Sequence, residues 1–473
     1  MTYALAAIGA LAALAALVWW LRRRPDTLPL LAIAALPFRL PIATDGRTVN
    51  LLIPLYAVIG AGTLSLLLPR WLGWRTSSGQ PSADCATATG SPTEPPAPAE
   101  SVSLARPATW LRPRGLEWLL AIAVGLYALQ GVYSPDHTKA AENVAFFYIP
   151  FGLLFMLLRN VKYTRELVLR CLGVAVALGV AFAGVGFVEY YRKSLFLNPK
   201  VIAADQFGNY FRVNSLFFDP NIYGRFLAIV MVGVVAVVLW SRRRREVAIA
   251  AGVLAWLLAG LVTSFSQSSI AALLLGMAVL AAYRWDARMT AYVTGALVAI
   301  AAVFVVSAPP SLHFGLNGSG GSTSNATSGR TKLISGGLEL WADRPLYGYG
   351  SGSFETEYRR HGNASAANAT SASHTIPVTV AAEQGLIGLA VYVALLVSAF
   401  TLLARGAGRS PPRPKPEDTR LGRESPFRLA LLACFAALVL HTWTYADFLE
   451  DPITWTLLGL GVALARESML PAP

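Results

Sequence analysis

The residues best suited to chemistry in this chain are arginines and histidines gathered in two stretches. Arg212 and Arg225 lie in or beside residues 190–221, and Arg330, Lys332, Arg344, Arg359, Arg360, His361 and His374 lie in residues 309–383. A guanidinium presents a planar fork that matches phosphate oxygens two at a time, so this set suits an anionic group. A histidine near its ordinary pKa can take a proton from an attacking hydroxyl at neutral pH. Familiar signatures of soluble enzymes are absent: there is no GxxxxGK[ST], no HExxH and no Gly-x-Ser-x-Gly. The glycines of YGYGSGS (Gly348, Gly350, Gly352) follow no strand and read as turn chemistry rather than a phosphate loop. Cys85, Cys171 and Cys434 are odd in number and scattered, so the sequence offers no disulfide or zinc framework.

The elements that must position these groups are written in the hydropathy. Of 473 residues 55% are hydrophobic and only 14% charged, with a mean hydropathy of +0.51. The apolar residues come in runs of roughly 17–25, the length needed to cross about 30 Å of hydrocarbon. Examples are Ala4–Leu21, Leu167–Val188, Ile222–Trp240 and Leu386–Leu403. They predict an all-α integral membrane protein of about 12–13 transmembrane helices with a long outer loop carrying short helices. The spans fall near 3–21, 28–43, 49–68, 116–133, 140–158, 166–189, 222–240, 247–263, 268–283, 289–308, 384–404, 427–445 and 452–465. Arg22–Arg24 follows the first run instead of preceding it, the reverse of a secretory signal, so this run reads as a retained helix. Placing the basic clusters inside puts the N-terminus outside and the C-terminus inside. The formal net charge of +13 is then a topology signal, and no nucleic-acid partner is implied.

This topology divides the chain into N-terminal spans (1–75), a disordered cytoplasmic linker (76–110), central spans (111–308) with an outer loop at 190–221, the long outer loop (309–383) and C-terminal spans (384–473) with a second linker at 405–426. Thr331–Trp341 reads as a short amphipathic helix in the long loop, and Asp219 reads as the cap of the helix starting near Asn221. Ionisable groups that enter the spans (Glu142, Glu189, Arg225, Glu383, His441, Asp447) fall toward the outer ends. Gln267 stands among Ser264, Ser266, Ser268 and Ser269 at an outer hairpin. Transporters driven by ions generally need polar groups at the midplane, so the distribution favours chemistry at the outer face.

Ser328–Phe354 (SGRTKLISGGLELWADRPLYGYGSGSF), followed by SHTIPVTVAAEQGLIGLAVYVALL from Ser373, resembles the C-terminal signature of the O-antigen ligase/O-antigen polymerase superfamily. Arg330, Trp341, Pro345, Gly348, Gly350, His374, Glu383, Gly385 and Gly388 match in order, and FFDPNIYGRFLAIV (217–230) is similar to the family's Asp-Pro-Asn helix entry. Two positions depart from the usual pattern. Thr375 stands where an Asn commonly follows the His, and Gln267 stands where the hairpin usually carries an arginine for the lipid pyrophosphate.

The resemblance implies transfer of a glycan from a polyprenyl-pyrophosphate carrier to a hydroxyl of a glycan or glycolipid acceptor. The reaction would use neither metal nor cofactor and would take place in the bacterial cytoplasmic membrane. It points to His374 and Arg330 for catalysis and, taken with the phosphate-matching arginines of the outer loops, to Arg212, Arg225, Gln267 and Glu383 for substrate contacts. Each residue has a plainer reading. His374 could cap the following helix, Arg330 could be a solvated loop charge, Arg212 and Arg225 could meet lipid headgroups, and Glu383 could be a helix-start residue. A flippase for lipid-linked glycans or a non-catalytic scaffold would use the same basic outer surface.

Overall fold

The computed structural model describes residues 2–44, 47–72, 113–197, 211–241, 243–285, 288–296, 324–362, 373, 375–405 and 426–467. In chain order these form α1 (Thr2–Arg23), α2 (Leu28–Ala35), the hairpin β1 (Leu40–Thr44) and β2 (Arg47–Leu51), and α3 (Ile53–Gly62). After the first linker come α4 (Pro113–Gly131), α5 (His137–Asn143), α6 (Ile149–Leu158), α7 (Arg165–Arg192), α8 (Pro220–Trp240), α9 (Arg244–Thr263) and α10 (Gln267–Arg284). The remainder is α11 (Ser324–Asp343), α12 (Phe354–Arg360), α13 (Ile376–Ala404), α14 (Pro426–Thr444) and α15 (Pro452–Glu467). Turns with π-helical hydrogen bonding, Thr63–Leu67 and Val144–Tyr148, extend α3 and join α5 to α6.

The fold is all-α and membrane-spanning in character. Among the described residues seven helices are long and apolar enough to cross a bilayer: His137–Leu158, α7, α8, α9, α10, α13 and α14. Pro25–Ala35, Ile53–Leu67 and Pro452–Arg466 are shorter apolar helices. The two expected spans at 28–43 and 49–68 need correction, because β1 and β2 pair antiparallel from Leu40↔Leu51 to Thr44↔Arg47. The two-residue connection reads Asp45-Gly46 in the sequence, a strong hairpin-turn dipeptide that a hydropathy window averages away. Both linkers and most of the expected 289–308 span lie outside the described residues.

Burial separates a centre from a periphery. Within their apolar windows 67% of α14 and 61% of α8 is buried, against 17% of α9. α8, α10 and α14 pack on one another, with α9 and α7 outside them; α13 packs on α4, α11 and α14. Helix starts at the polar end follow from sequence. The Asp219 carboxylate accepts from Asn221 N–H at 2.6 Å with Pro220 at the first helical position, and Asp451 accepts from Ile453 N–H at 2.8 Å just after a similar Asp-Pro step. The amphipathic segment at Thr331–Trp341 is helical and belongs to the longer α11.

Candidate functional site

α13 is interrupted at Gly385, whose φ of 65° and ψ of −162° leave the helical region. A break strands N–H groups on one side and carbonyls on the other, and the segment 345–354 meets both sets. Leu386 and Ile387 donate to the carbonyls of Pro345 (2.7 Å) and Leu346 (3.3 Å), while the carbonyls of Ala382 and Glu383 accept from Tyr349 (3.1 Å) and Gly350 (2.8 Å). The Gln130 side-chain amide, at the end of α4, donates to the carbonyls of Tyr347 (3.4 Å) and Gln384 (3.2 Å). Tyr133 hydroxyl also donates to Tyr347 O at 2.6 Å. The buried Glu383 carboxylate accepts from the N–H groups of Gly352 (2.9 Å) and Phe354 (3.1 Å). Gly348 and Gly385 both have positive φ, and a Cβ on either would overlap backbone of the opposite strand of this clasp.

A cavity of about 80 Å³ lies beside the clasp, lined by Tyr127, Tyr148, Thr379, Glu383, Tyr392 and Glu450 among others. Asn143 donates to Tyr127 hydroxyl (2.7 Å) and to Glu450 Oε1 (3.0 Å). Burial, then the neighbouring Asp447 carboxylate, push Glu450 up to about 8. Thr379, on the first turns of α13, ties down both chain neighbours of position 374: its hydroxyl accepts from Ser373 N–H (3.1 Å) and donates to Thr375 O (3.3 Å).

The second polar centre is the connection from α9 to α10. Arg212 Nε donates to Ser264 O (3.2 Å) and Nη2 to Asn221 Oδ1 (3.3 Å). Ser266 hydroxyl donates to the same Asn221 oxygen at 2.9 Å. Gly224 allows this approach, since a Cβ there would lie 2.6 Å from Ser269 Oγ. Arg225, one turn after Asn221 on α8, is buried and faces elsewhere. It pairs with Asp451 at 2.9 Å and Asp447 at 4.0 Å, and donates to the carbonyls of Ala446 (3.2 Å) and Asp447 (3.4 Å). Ser215, Phe265 and Asp447, all flanking this centre, hold positive φ without being glycine, a backbone state that persists only where surroundings enforce it.

Residues 252–393 match the family model described as O-antigen ligase. The segment is O-antigen ligase-like. It begins within α9, includes the serine hairpin and the clasp, and ends in α13, so both polar centres fall partly inside it. The family implies glycosyl transfer in glycan biosynthesis, with a lipid-linked glycan donor and a glycan acceptor in general terms. With seven apolar helices, the match suggests a multi-pass protein of the bacterial inner membrane. No curated protein matches the chain.

Against that background the expected site residues separate. Arg212 sits at the serine hairpin, and Gln267 opens α10 at its exposed edge. Glu383 braces the clasp and lines the cavity. Arg225 spends its guanidinium on Asp451, Asp447 and two carbonyls, so its charge is met within the protein. Arg330 falls in α11, and His374 lies outside the described residues. Reasoning from sequence missed Gln130, Asn143, Glu450, Asp451 and the link between Asn221 and Ser266. Only Asp451 carried a signal, through the Asp-Pro step it shares with Asp219. Among the described residues no three His, Cys, Asp or Glu side chains converge as a metal site.

Proposed function

We propose that this O-antigen ligase-like protein transfers a glycan from a polyprenyl-pyrophosphate carrier to an acceptor hydroxyl at the outer membrane face, without a metal ion. In this reading the acceptor oxygen bonds to the anomeric carbon as the carbon–oxygen bond to the pyrophosphate breaks. The electron pair leaves with polyprenyl pyrophosphate, and the acceptor proton passes to His374. Arg212 and Arg330 carry the charge developing on the leaving group, with Gln267 at the hairpin that Arg212 meets. Glu383 acts by holding the clasp against the break in α13, and Arg225 by holding the 446–451 loop.

The observation that carries this reading is Arg212. Its guanidinium is anchored on Ser264 and Asn221, so a positive charge stands at the hairpin where Gln267 replaces an arginine of the family pattern. The attachment of Ser373 and Thr375 to Thr379 at the start of α13 supports the assignment of a base to the position between them. The test is incubation of purified protein with a polyprenyl-pyrophosphate oligosaccharide and candidate acceptors. Acceptor-dependent release of polyprenyl pyrophosphate is expected, and release that never occurs while the lipid is moved between leaflets would replace the transferase with a flippase.

A further inference from the structure

His441 of α14 is fully buried, and its Nε2 lies 3.1 Å from Ser269 Oγ and 3.2 Å from Ser268 Oγ. Ser269 Oγ is in turn 2.7 Å from Ser266 Oγ. Ser266 donates to Asn221 Oδ1 at 2.9 Å, and that oxygen also accepts from Arg212 Nη2 at 3.3 Å. Side chains on three helices and two connecting loops thus form one continuous path from the centre of the bundle to the guanidinium.

The proton order along the path is set by its ends. Asn221 Oδ1 can only accept, so Ser266 gives its single hydroxyl proton there. Ser266 then accepts from Ser268 (3.2 Å) or from Ser269, whose hydroxyl alternatively donates to Asn221 O (3.4 Å), and in either case the Ser268 and Ser269 oxygens keep a lone pair to accept from Nε2–H of His441. The other ring nitrogen, Nδ1, is buried without a partner. With the proton on Nε2, Nδ1 is an unfilled lone pair. The opposite tautomer would strand a buried N–H donor, the costlier of the two. The tautomer that suits His441 is the one that sends protons toward Asn221.

We propose that His441 is a positioning residue for Arg212: by ordering the serine hydroxyls it makes Asn221 present its oxygen, and not its amide N–H₂, to the guanidinium. The proposal rests on the reading that Arg212 holds the donor pyrophosphate. A phenyl ring or a methyl group at 441 would free the hydroxyls to reverse, and the Asn221 amide could then flip and turn a donor on Arg212.

The test compares His441→Ala, His441→Gln, Arg212→Ala and the double variant His441→Ala/Arg212→Ala in full-length protein, reading KM for the lipid-linked donor and kcat separately. His441→Ala is expected to raise donor KM about tenfold, the effect of losing one well-aligned charged contact, with a smaller change in kcat. His441→Gln, whose side-chain N–H₂ can still donate to Ser269, recovers most of the loss. In the Arg212→Ala background His441→Ala should change donor KM less than about twofold, because contacting residues acting through one group do not add. Full additivity in the double variant overturns the positioning role while leaving the phosphate reading intact. An unchanged donor KM in Arg212→Ala overturns both. If His441→Ala does not fold, Ser268→Ala/Ser269→Ala interrupts both branches of the same path, and a normal donor KM there overturns the proposal.

Discussion

Gly385 and Leu346 occupy a space that admits no side chain. The Leu346 carbonyl accepts from Ile387 just past the break in α13, and a Cβ on Gly385 would overlap that carbonyl while holding a φ of 65°. Gly385→Ala combines a left-handed backbone, costing of order 1 kcal/mol or more for a residue with a Cβ, with a clash that only backbone movement can relieve. The expected result is a lower melting temperature in detergent together with loss of activity. A variant that melts and turns over normally would remove the clasp from the account.

Glu383 gives a graded version of the same test. Its carboxylate accepts from two backbone N–H groups of the glycine segment. Glu383→Gln keeps one acceptor oxygen but turns an N–H₂ on the other donor, and Glu383→Ala leaves both buried donors unpaired at about 1–3 kcal/mol each. Proteolytic cleavage within 345–362 should therefore rise from wild type to glutamine to alanine. Equal protection in all three would show that the clasp is held by its backbone hydrogen bonds alone.

Much of this architecture was legible in the sequence because the signals are local. Apolar run length marked the seven helices long enough to cross a bilayer, Asp219 its own helix, and YGYGSGS a turn, since each depends on residues a few positions apart. The hairpin at 40–51 escaped because β1 (LPIAT) and the end of β2 join the apolar runs on either side, so the short polar stretch from Asp45 to Asn50 reads as a loop between two spans. Arg225 escaped for a different reason: an arginine beside an Asp-Pro-Asn step reads as an available charge, and its carbonyl and carboxylate partners lie 221 residues and more away along the chain. His441 was equally opaque. A lone histidine at a helix end says nothing until Ser266, Ser268 and Ser269 are seen folded against it.

Glu450 predicts a pH dependence. Its carboxyl is raised to about 8 by burial and Asp447, above an ordinary value near 4.3, so the folded protein binds the proton more tightly than the unfolded chain. The stability this contributes is fully present below the ordinary value and is lost as pH rises through about 8. Melting temperature should fall between pH 5 and pH 8.5, and Glu450→Gln should flatten that slope. An unaltered slope in the variant would assign the dependence to other groups.

The Arg225–Asp451 pair should behave as a buried ion pair and not as a substrate contact. Removing one partner leaves an uncompensated charge, about 3–5 kcal/mol in buried pairs, whereas replacing both by apolar residues is far milder. Asp451→Leu alone is expected to unfold or strongly destabilise the protein. Arg225→Met/Asp451→Leu should recover most of the stability and keep the donor KM within a few fold. A large rise in donor KM in a stable double variant would return Arg225 to the pyrophosphate.

Gln267 tests where the hairpin gets its charge. It opens α10 three residues after Ser264, whose carbonyl accepts from Arg212, so an arginine at 267 would place a second guanidinium at the same hairpin. If Arg212 already supplies that charge, Gln267→Arg in the wild-type background adds little, because the pyrophosphate is already met and a cation on the first turn of a helix is mildly unfavourable. The informative background is Arg212→Ala, where donor use should be down by about 10–100-fold, the loss of a bidentate charged contact. Adding Gln267→Arg there should restore a large part of the donor kcat/KM without changing the acceptor KM. Gln267→Lys should restore less, since an ammonium reproduces the charge but not the fork. Rescue by arginine identifies the two positions as alternative seats for one phosphate contact. If neither substitution rescues, while Arg212→Ala remains folded and impaired, Arg212 acts on the hairpin's shape and the charge comes from elsewhere.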